Sequence, residues 1–350
     1  MSAEQLAGLS DDLVLGTVLL YLAAMVGFAL ELAFGRARTN TGATAITVTE
    51  SGVTESGVTE DVAAGAAKEA LAAAGSVAAG ASSAALAASK PGEGDGADGV
   101  VVRSPEPPSW APIAGGIGVL LAWLGLAANL GSVITRGLAV GRWPWGNMYE
   151  FVVSICLAAV AAFLVTQLRS NVRFLGAFVM VTAALGLGFA VIWLHVPAGP
   201  VVPALNSYWI AIHVSAAIVA SGLFTVAGVS GILYLIRRDG FSRLPTRADL
   251  ERVAHRAIVF AFPVWTFAVI AGALWADKAW GRYWGWDPKE IWAFITWIAY
   301  AAYLHARATA GWKGRSATVV QLIAFACLLF NLVGVNIFLG GLHSYADVGG

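Results

Sequence analysis

Residues 280–292 read Trp280-Gly281-Arg282-Tyr283-Trp284-Gly285-Trp286-Asp287-Pro288-Lys289-Glu290-Ile291-Trp292, and they join two apolar runs, 257–276 and 291–309. Each run matches the ~20 residues needed to cross a hydrocarbon core of ~30 Å. The stretch therefore reads as a short loop between two membrane helices. Working outward, further runs of spanning length occur at 13–34, 112–135, 150–168, 174–194, 208–236 and 317–340. The chain is 58% hydrophobic and 12% charged, against roughly 25% charged residues in soluble domains. The fold class expected is all-α: a polytopic integral membrane bundle of about eight transmembrane helices, with membrane lipid around it.

The net charge is zero, so no attraction to nucleic acid is indicated. Orientation follows the distribution of Lys and Arg. With the N-terminus outside, 16 of these residues fall on the cytoplasmic side, most densely from Arg237 to Arg256. Five remain outside: Arg136, Arg142, Lys278, Arg282 and Lys289. The expected location is the cell membrane, with both termini and the tryptophan loop extracytoplasmic. Residues 1–12 hold Glu4, Asp11 and Asp12 and no base, the reverse of a signal n-region. The first run should stay as an anchor.

Three parts are expected along the chain. Residues 1–35 form the N-terminal anchor. Residues 36–109 interrupt the apolar pattern: Thr49-Glu50-Ser51-Gly52-Val53 repeats directly as Thr54 to Val58, and an Ala/Gly/Ser tract and Pro105-Glu106-Pro107-Pro108 follow. Such a composition buries too little to offset chain entropy, so a disordered cytoplasmic linker is expected. Residues 110–350 are the seven-helix working unit, with the first helix an appendage on a tether. Cys156 and Cys327 lie inside apolar runs, and neither Cys-x-x-Cys nor Cys-x-x-Cys-His occurs. A thiol–disulfide relay and covalently held haem are both excluded.

Five of the 14 tryptophans fall between Trp280 and Trp297. An interfacial belt needs a ring or two per helix end. Trp280, Trp284, Trp286 and Trp292 lie instead within thirteen residues, interleaved with charges. That density points to a flat aromatic platform for a large planar ligand, with a heavy interfacial belt as the other reading. His213, roughly 8 Å inside the outer end of its helix, and His343, just beyond the last helix, share the platform's side. Two imidazoles could ligate a haem iron axially from opposite faces; each could instead satisfy backbone carbonyls at a helix end. His305 lies about 21 Å further along its helix from Ile291, beside Tyr300 and Tyr303, as an intramembrane ligand or a side chain reaching the headgroups. His255 is expected as solvated surface and His195 as an outer-loop residue. Asp287-Pro288-Lys289-Glu290 matches an N-cap, Pro at the first helical position and a capping-box Glu.

The run from Trp275 to Arg307 resembles the tryptophan-rich "WWD" signature of haem-handling proteins in cytochrome c maturation, and most of all the CcsA/ResC family. Pro203 to Trp209 with His213 is similar to the family's first external-histidine region, and Asn336 to Tyr345 to its second. Pro144-Trp145-Gly146-Asn147-Met148-Tyr149-Glu150-Phe151 and Phe262-Pro263 also fit. The resemblance implies that His213 and His343 are external axial ligands to haem b, whose edge rests on Trp280, Trp284, Trp286 and Trp292 beside Asp287. It implies that His305 is the histidine near the cytoplasmic haem entry. It implies a separate ResB/CcsB-type partner, an apocytochrome c with Cys-x-x-Cys-His as acceptor, and a place as the haem-handling subunit of a cytochrome c synthase. The alternatives are a membrane b-type cytochrome subunit for electron transfer and a haem exporter without ligation chemistry.

Overall fold

The computed structural model describes residues 1–35, 48–49, 52–53, 108–201, 205, 207–237 and 244–343. Its helices are α1 (Ala3–Phe34), α2 (Trp110–Val140), α3 (Met148–Arg169), α4 (Gly176–Trp193), α5 (Tyr208–Ile236), α6 (Arg247–Trp280), α7 (Pro288–Thr309) and α8 (Gly314–Leu329). The last continues through a π turn, Phe330–Gly334, into a short α9 (Val335–Phe338). The described residues are all-α apart from a two-residue antiparallel ladder pairing Val48–Thr49 with Gly52–Val53. The tract 36–109 expected as a linker lies outside the described residues, save for that ladder, Pro108 and Ser109.

Among the described residues, seven helices are long and apolar enough to cross a membrane: α1 to α6, and the α8–α9 rod from Gly314 to Phe338. Large apolar side chains such as Leu19, Leu168, Leu185 and Ile192 stay exposed on their outer faces, as lipid-facing positions do. The remaining expected span, α7, matches α3 in length at 22 residues. It is less apolar because its inward face carries Glu290, Thr296, Tyr300 and Tyr303.

Most helix starts are written in the sequence. Asn147 accepts from the Glu150 N–H at 2.8 Å, and Thr246 from the Asp249 N–H at 3.1 Å. Asp287 and Glu290 form the expected reciprocal capping box with Pro288 inside it. These side chains satisfy amides that a helix leaves open at its first turn.

The bundle has two buried clusters. One joins α1 to α4 around Tyr21, Phe28, Phe163 and Met180; the other joins α5 to α8 around Phe224, Trp265, Tyr300 and Leu328. The first helix is therefore no appendage. It packs along α2 and α4 within the same compact unit as the helices from Pro107 onward. Glycines make the close approach possible: a Cβ on Gly27 would sit 2.7 Å from the Ala114 carbonyl and 3.0 Å from Gly118 Cα. Val14, Tyr21, Ala24 and Phe28 then bury against the bundle. A spanning helix with that much buried surface belongs to the core, whatever the length of the tract that follows it.

Candidate functional site

The connections α2–α3, α4–α5 and α6–α7 fall at one and the same end of an up-and-down bundle. At the end where α6 turns into α7, a cavity of about 160 Å³ opens between α3, α5, α6, α7 and the C-terminal turn. Its walls include His213, Trp265, Trp275, Trp280, Trp284 and His343.

His213 sits in the second turn of α5, and its Nδ1 lies 2.7 Å from the Ala268 carbonyl on α6. A carbonyl oxygen only accepts, so Nδ1 carries the proton and Nε2 the lone pair. The approach needs Gly272, one turn further along α6: a Cβ there would meet the imidazole Cε1 at 2.7 Å. The ring stacks on Trp275, with centroids 6.1 Å apart and planes 9° from parallel. His343 meets the same indole, 5.7 Å away at 62°, and packs edge-on against Trp280 at 5.1 Å. Its Nδ1 lies 2.9 Å from Asp287 Oδ2. One indole thus borders both imidazoles.

Asp287 holds more than the helix start. Oδ1 accepts from the Leu342 N–H at 2.7 Å, and Oδ2 from the Lys289 N–H at 3.3 Å as well as from His343. Burial alone would raise its pKa; the donors on His343, Leu342 and Lys289 outweigh burial and hold the carboxyl below the ordinary range. Glu290 closes the loop by accepting from the Gly285 and Asp287 amides at 2.8 and 3.1 Å. The Lys289 ammonium reaches across to the π turn and α9, donating to the Asn331 carbonyl at 2.7 Å and to Asn336 Oδ1 at 3.1 Å. Asn331 lies in the π turn. π turns of this kind gather at functional sites.

The opposite wall is set by ion pairs among buried groups. Glu150 takes Arg136 Nε at 3.2 Å, Arg142 Nη1 at 2.9 Å and the Gly146 amide at 2.7 Å. Arg136 also meets the Val196 carbonyl, and Asp11 of α1 at 3.6 Å. This network fixes the turn that carries Trp145, Gly146 and Asn147 into the cavity wall.

The residues expected from the sequence do not all come together in space. His213, His343, Trp280 and Trp284 line the cavity, and Asp287 backs it. Trp286 and Trp292 do not line it. Trp286 is 65% exposed, and Trp292 packs on Phe330 at 4.3 Å. The tryptophans form no flat platform: Trp284 and Trp286 stand at 89°, Trp275 and Trp280 at 64°. The loop reverses too sharply for coplanar rings, with Trp286 itself in the left-handed region at φ 59°. They build a box with walls rather than a plate. His305 is exposed near the far end of α7, remote from the cavity. His255, expected as surface, is half-buried with Nδ1 3.3 Å from the Tyr303 hydroxyl, because α6 extends through the basic segment and turns that face inward. His195 does lie in a loop, 3.3 Å from Asp11 and edge-on to Tyr149. Sequence reasoning gave no role to Trp275, Gly272 or Lys289. Trp275 could have been noticed as a tryptophan five residues before Trp280; nothing local marks Gly272.

Comparison with known proteins falls on these same residues. The Cytochrome C assembly protein family matches residues 145–343, a segment that contains every residue lining the cavity. A cytochrome c biogenesis protein CcsA of Microcystis aeruginosa is 32% identical over 293 residues, covering 67% of this chain and 88% of that protein. The CcsA of Guillardia theta is 32% identical, with 65% and 83% covered. That of Chlamydomonas reinhardtii is 34% identical over 224 residues, with 61% and 64% covered.

Proposed function

The chain belongs to the cytochrome c assembly protein family and is a multi-pass membrane protein of cytochrome c biogenesis, and on that premise we propose that it binds haem b as cargo in the tryptophan-walled cavity. His213 and His343 ligate the iron from opposite sides, and the porphyrin edge meets Trp280 and Trp284. The cargo enters from the cytoplasmic side, where His305 lies, and is presented at the outer face to the Cys-x-x-Cys-His thiols of an unfolded apocytochrome c. A separate ResB/CcsB-type partner completes the synthase. The excess of Lys and Arg at the end opposite the cavity supports this orientation.

One observation carries the reading. Two imidazoles border one indole in one cavity, and each has its Nδ1 engaged by an acceptor, so that the lone pair sits on Nε2. Imidazole nitrogen with such an outer-shell partner is a good iron ligand. Thioether formation adds a thiol S–H across a vinyl C=C: the S–C bond forms, the proton ends on the neighbouring carbon, and nothing leaves. The protein's share of such a step is to hold the two reactants in register.

The test is ligand replacement. His213→Gly and His343→Gly should each lose the bis-histidine haem spectrum of the chain purified with its partner, and fall in holocytochrome yield. Added imidazole should restore both. If both variants mature cytochrome c at the wild-type level without imidazole, the ligand assignment is wrong. An unchanged wild-type spectrum coupled to quinol oxidation, with no covalent product, would favour an electron-transfer subunit instead.

A further inference from the structure

The two imidazoles are backed by different chemistry. His213 donates to a neutral helix carbonyl, Ala268, which as a helical residue also accepts the amide one turn on. His343 donates to a carboxylate, Asp287, whose side chain is 5% exposed against 19% for the imidazole. Charge-assisted hydrogen bonds are roughly twice as strong as neutral ones, and more so where water is scarce.

We propose that Asp287 is a positioning residue that makes the two iron ligands unequal: it locks His343 in the Nδ1–H tautomer with a carboxylate behind it. His343 is then the strong, retained ligand and His213 the one exchanged when cargo arrives or leaves. This rests on the haem reading above and adds an order of events to it. A carboxylate behind an imidazole gives the ring imidazolate character, strengthens its donation to iron and favours the ferric state. A shared carbonyl does this less.

The placement of Asp287 makes the lock rigid. Its oxygens also take Leu342 N–H and Lys289 N–H, so the carboxylate cannot turn away from His343 without leaving partly buried amides open. The turn bearing His343 is drawn onto Asp287 by a glycine: a Cβ on Gly341 would stand 2.6 Å from Oδ1. The same side chain starts α7 and ends the C-terminal turn. Loop, helix and ligand therefore share one anchor.

The test variant is Asp287→Asn. Asn is a good N-cap, so α7 still starts, but an amide has a single acceptor oxygen. It cannot serve both Leu342 N–H and His343 Nδ1–H. In the haem-free chain, ¹⁵N NMR of labelled histidine should show His343 as Nδ1–H in the wild type and a tautomer mixture in Asp287→Asn. In the haem-loaded complex with its partner, Asp287→Asn should raise the iron reduction potential and weaken haem retention by about 10- to 100-fold, the range for lost outer-shell partners. Carbon monoxide added to reduced wild type should displace His213, giving the same spectrum as the CO form of His213→Gly.

A wild-type His343 found as Nε2–H overturns the proposal with no variant needed. So does an Asp287→Asn complex with wild-type tautomer and potential, while the loss of the haem spectrum in His343→Gly would keep the haem reading standing. A wild-type haem spectrum in His343→Gly would remove the haem reading itself, and the ordering of ligands with it.

Discussion

Gly272→Ala adds one methyl group to the middle of α6 and should separate the stability of the bundle from its ability to hold iron. The new Cβ would stand 2.7 Å from His213 Cε1 and 2.8 Å from Nδ1, too close for a carbon, so the imidazole must swing off the Ala268 carbonyl. That forfeits a hydrogen bond worth about 0.5–1.5 kcal/mol. Alanine in place of glycine within a helix returns about 0.8–1.0 kcal/mol, and the Ala268 carbonyl keeps its helical partner. The empty protein should therefore unfold within about 1 kcal/mol of the wild type. Ligation has no such compensation. The lost bond alone weakens it by roughly 2- to 12-fold, and the displaced ring adds to this. Paired assays decide the matter: thermal unfolding in detergent, and haem per chain by pyridine haemochrome. Near-wild-type unfolding with a several-fold drop in haem is the expected result. Full haem content with an unchanged spectrum would refute the argument, because His213 would then not need its bond to Ala268.

Two further outcomes follow from the walls of the cavity. Glu150→Ala leaves Arg136, itself 2% exposed, without its carboxylate, and breaking a buried pair from one side costs about 3–5 kcal/mol; the bundle should lose thermal stability by that order, and wild-type melting would mean that Asp11 alone neutralises the site. Trp284→Leu should lower haem content, whereas Trp286→Gly should keep most of it and hold or raise stability, since a non-glycine residue at φ 59° carries roughly 1–2 kcal/mol of strain; equal losses in the two variants would give Trp286 the wall role assigned to Trp284.

Spans, caps and family motifs were legible in the residues because each depends on local chemistry. Apolar runs of ~20 residues need no tertiary context, and the Asp287-Pro288-Lys289-Glu290 box forms as its sequence demands. What stayed hidden depends on neighbours brought from elsewhere. The docking of α1 on α2 turns on Gly27 meeting Gly118, a match between two helices separated by a long low-complexity tract. Trp275 looks like any other tryptophan in an apolar run until His213 and His343 close on it. Asp287 was readable as a cap, but its grip on His343 crosses 56 residues. Of the dense tryptophans, Trp280 and Trp284 do wall a cavity. Its geometry, with rings edge to face, comes from the tight turn that residue spacing alone does not express.

Below the cavity the bundle is solid. Trp265 forms its floor with its indole N–H on the Ala293 carbonyl; beneath it Phe224 and Tyr300, both at 0% exposure, stack face to face 3.8 Å apart, and Tyr303 follows at 1%. On the haem reading, these stacked rings stand in the way of a porphyrin moving down the bundle axis. They also dictate the route of anything delivered from the His305 end. On the same reading, that cargo would travel along the outer flank of α7, where His305 is exposed and Ile298 and Phe294 follow at 47% and 39%, rather than down the axis. The speed of delivery then depends on whatever borders that flank, lipid or a second protein, and loading should respond to bilayer viscosity before it responds to the width of the chamber.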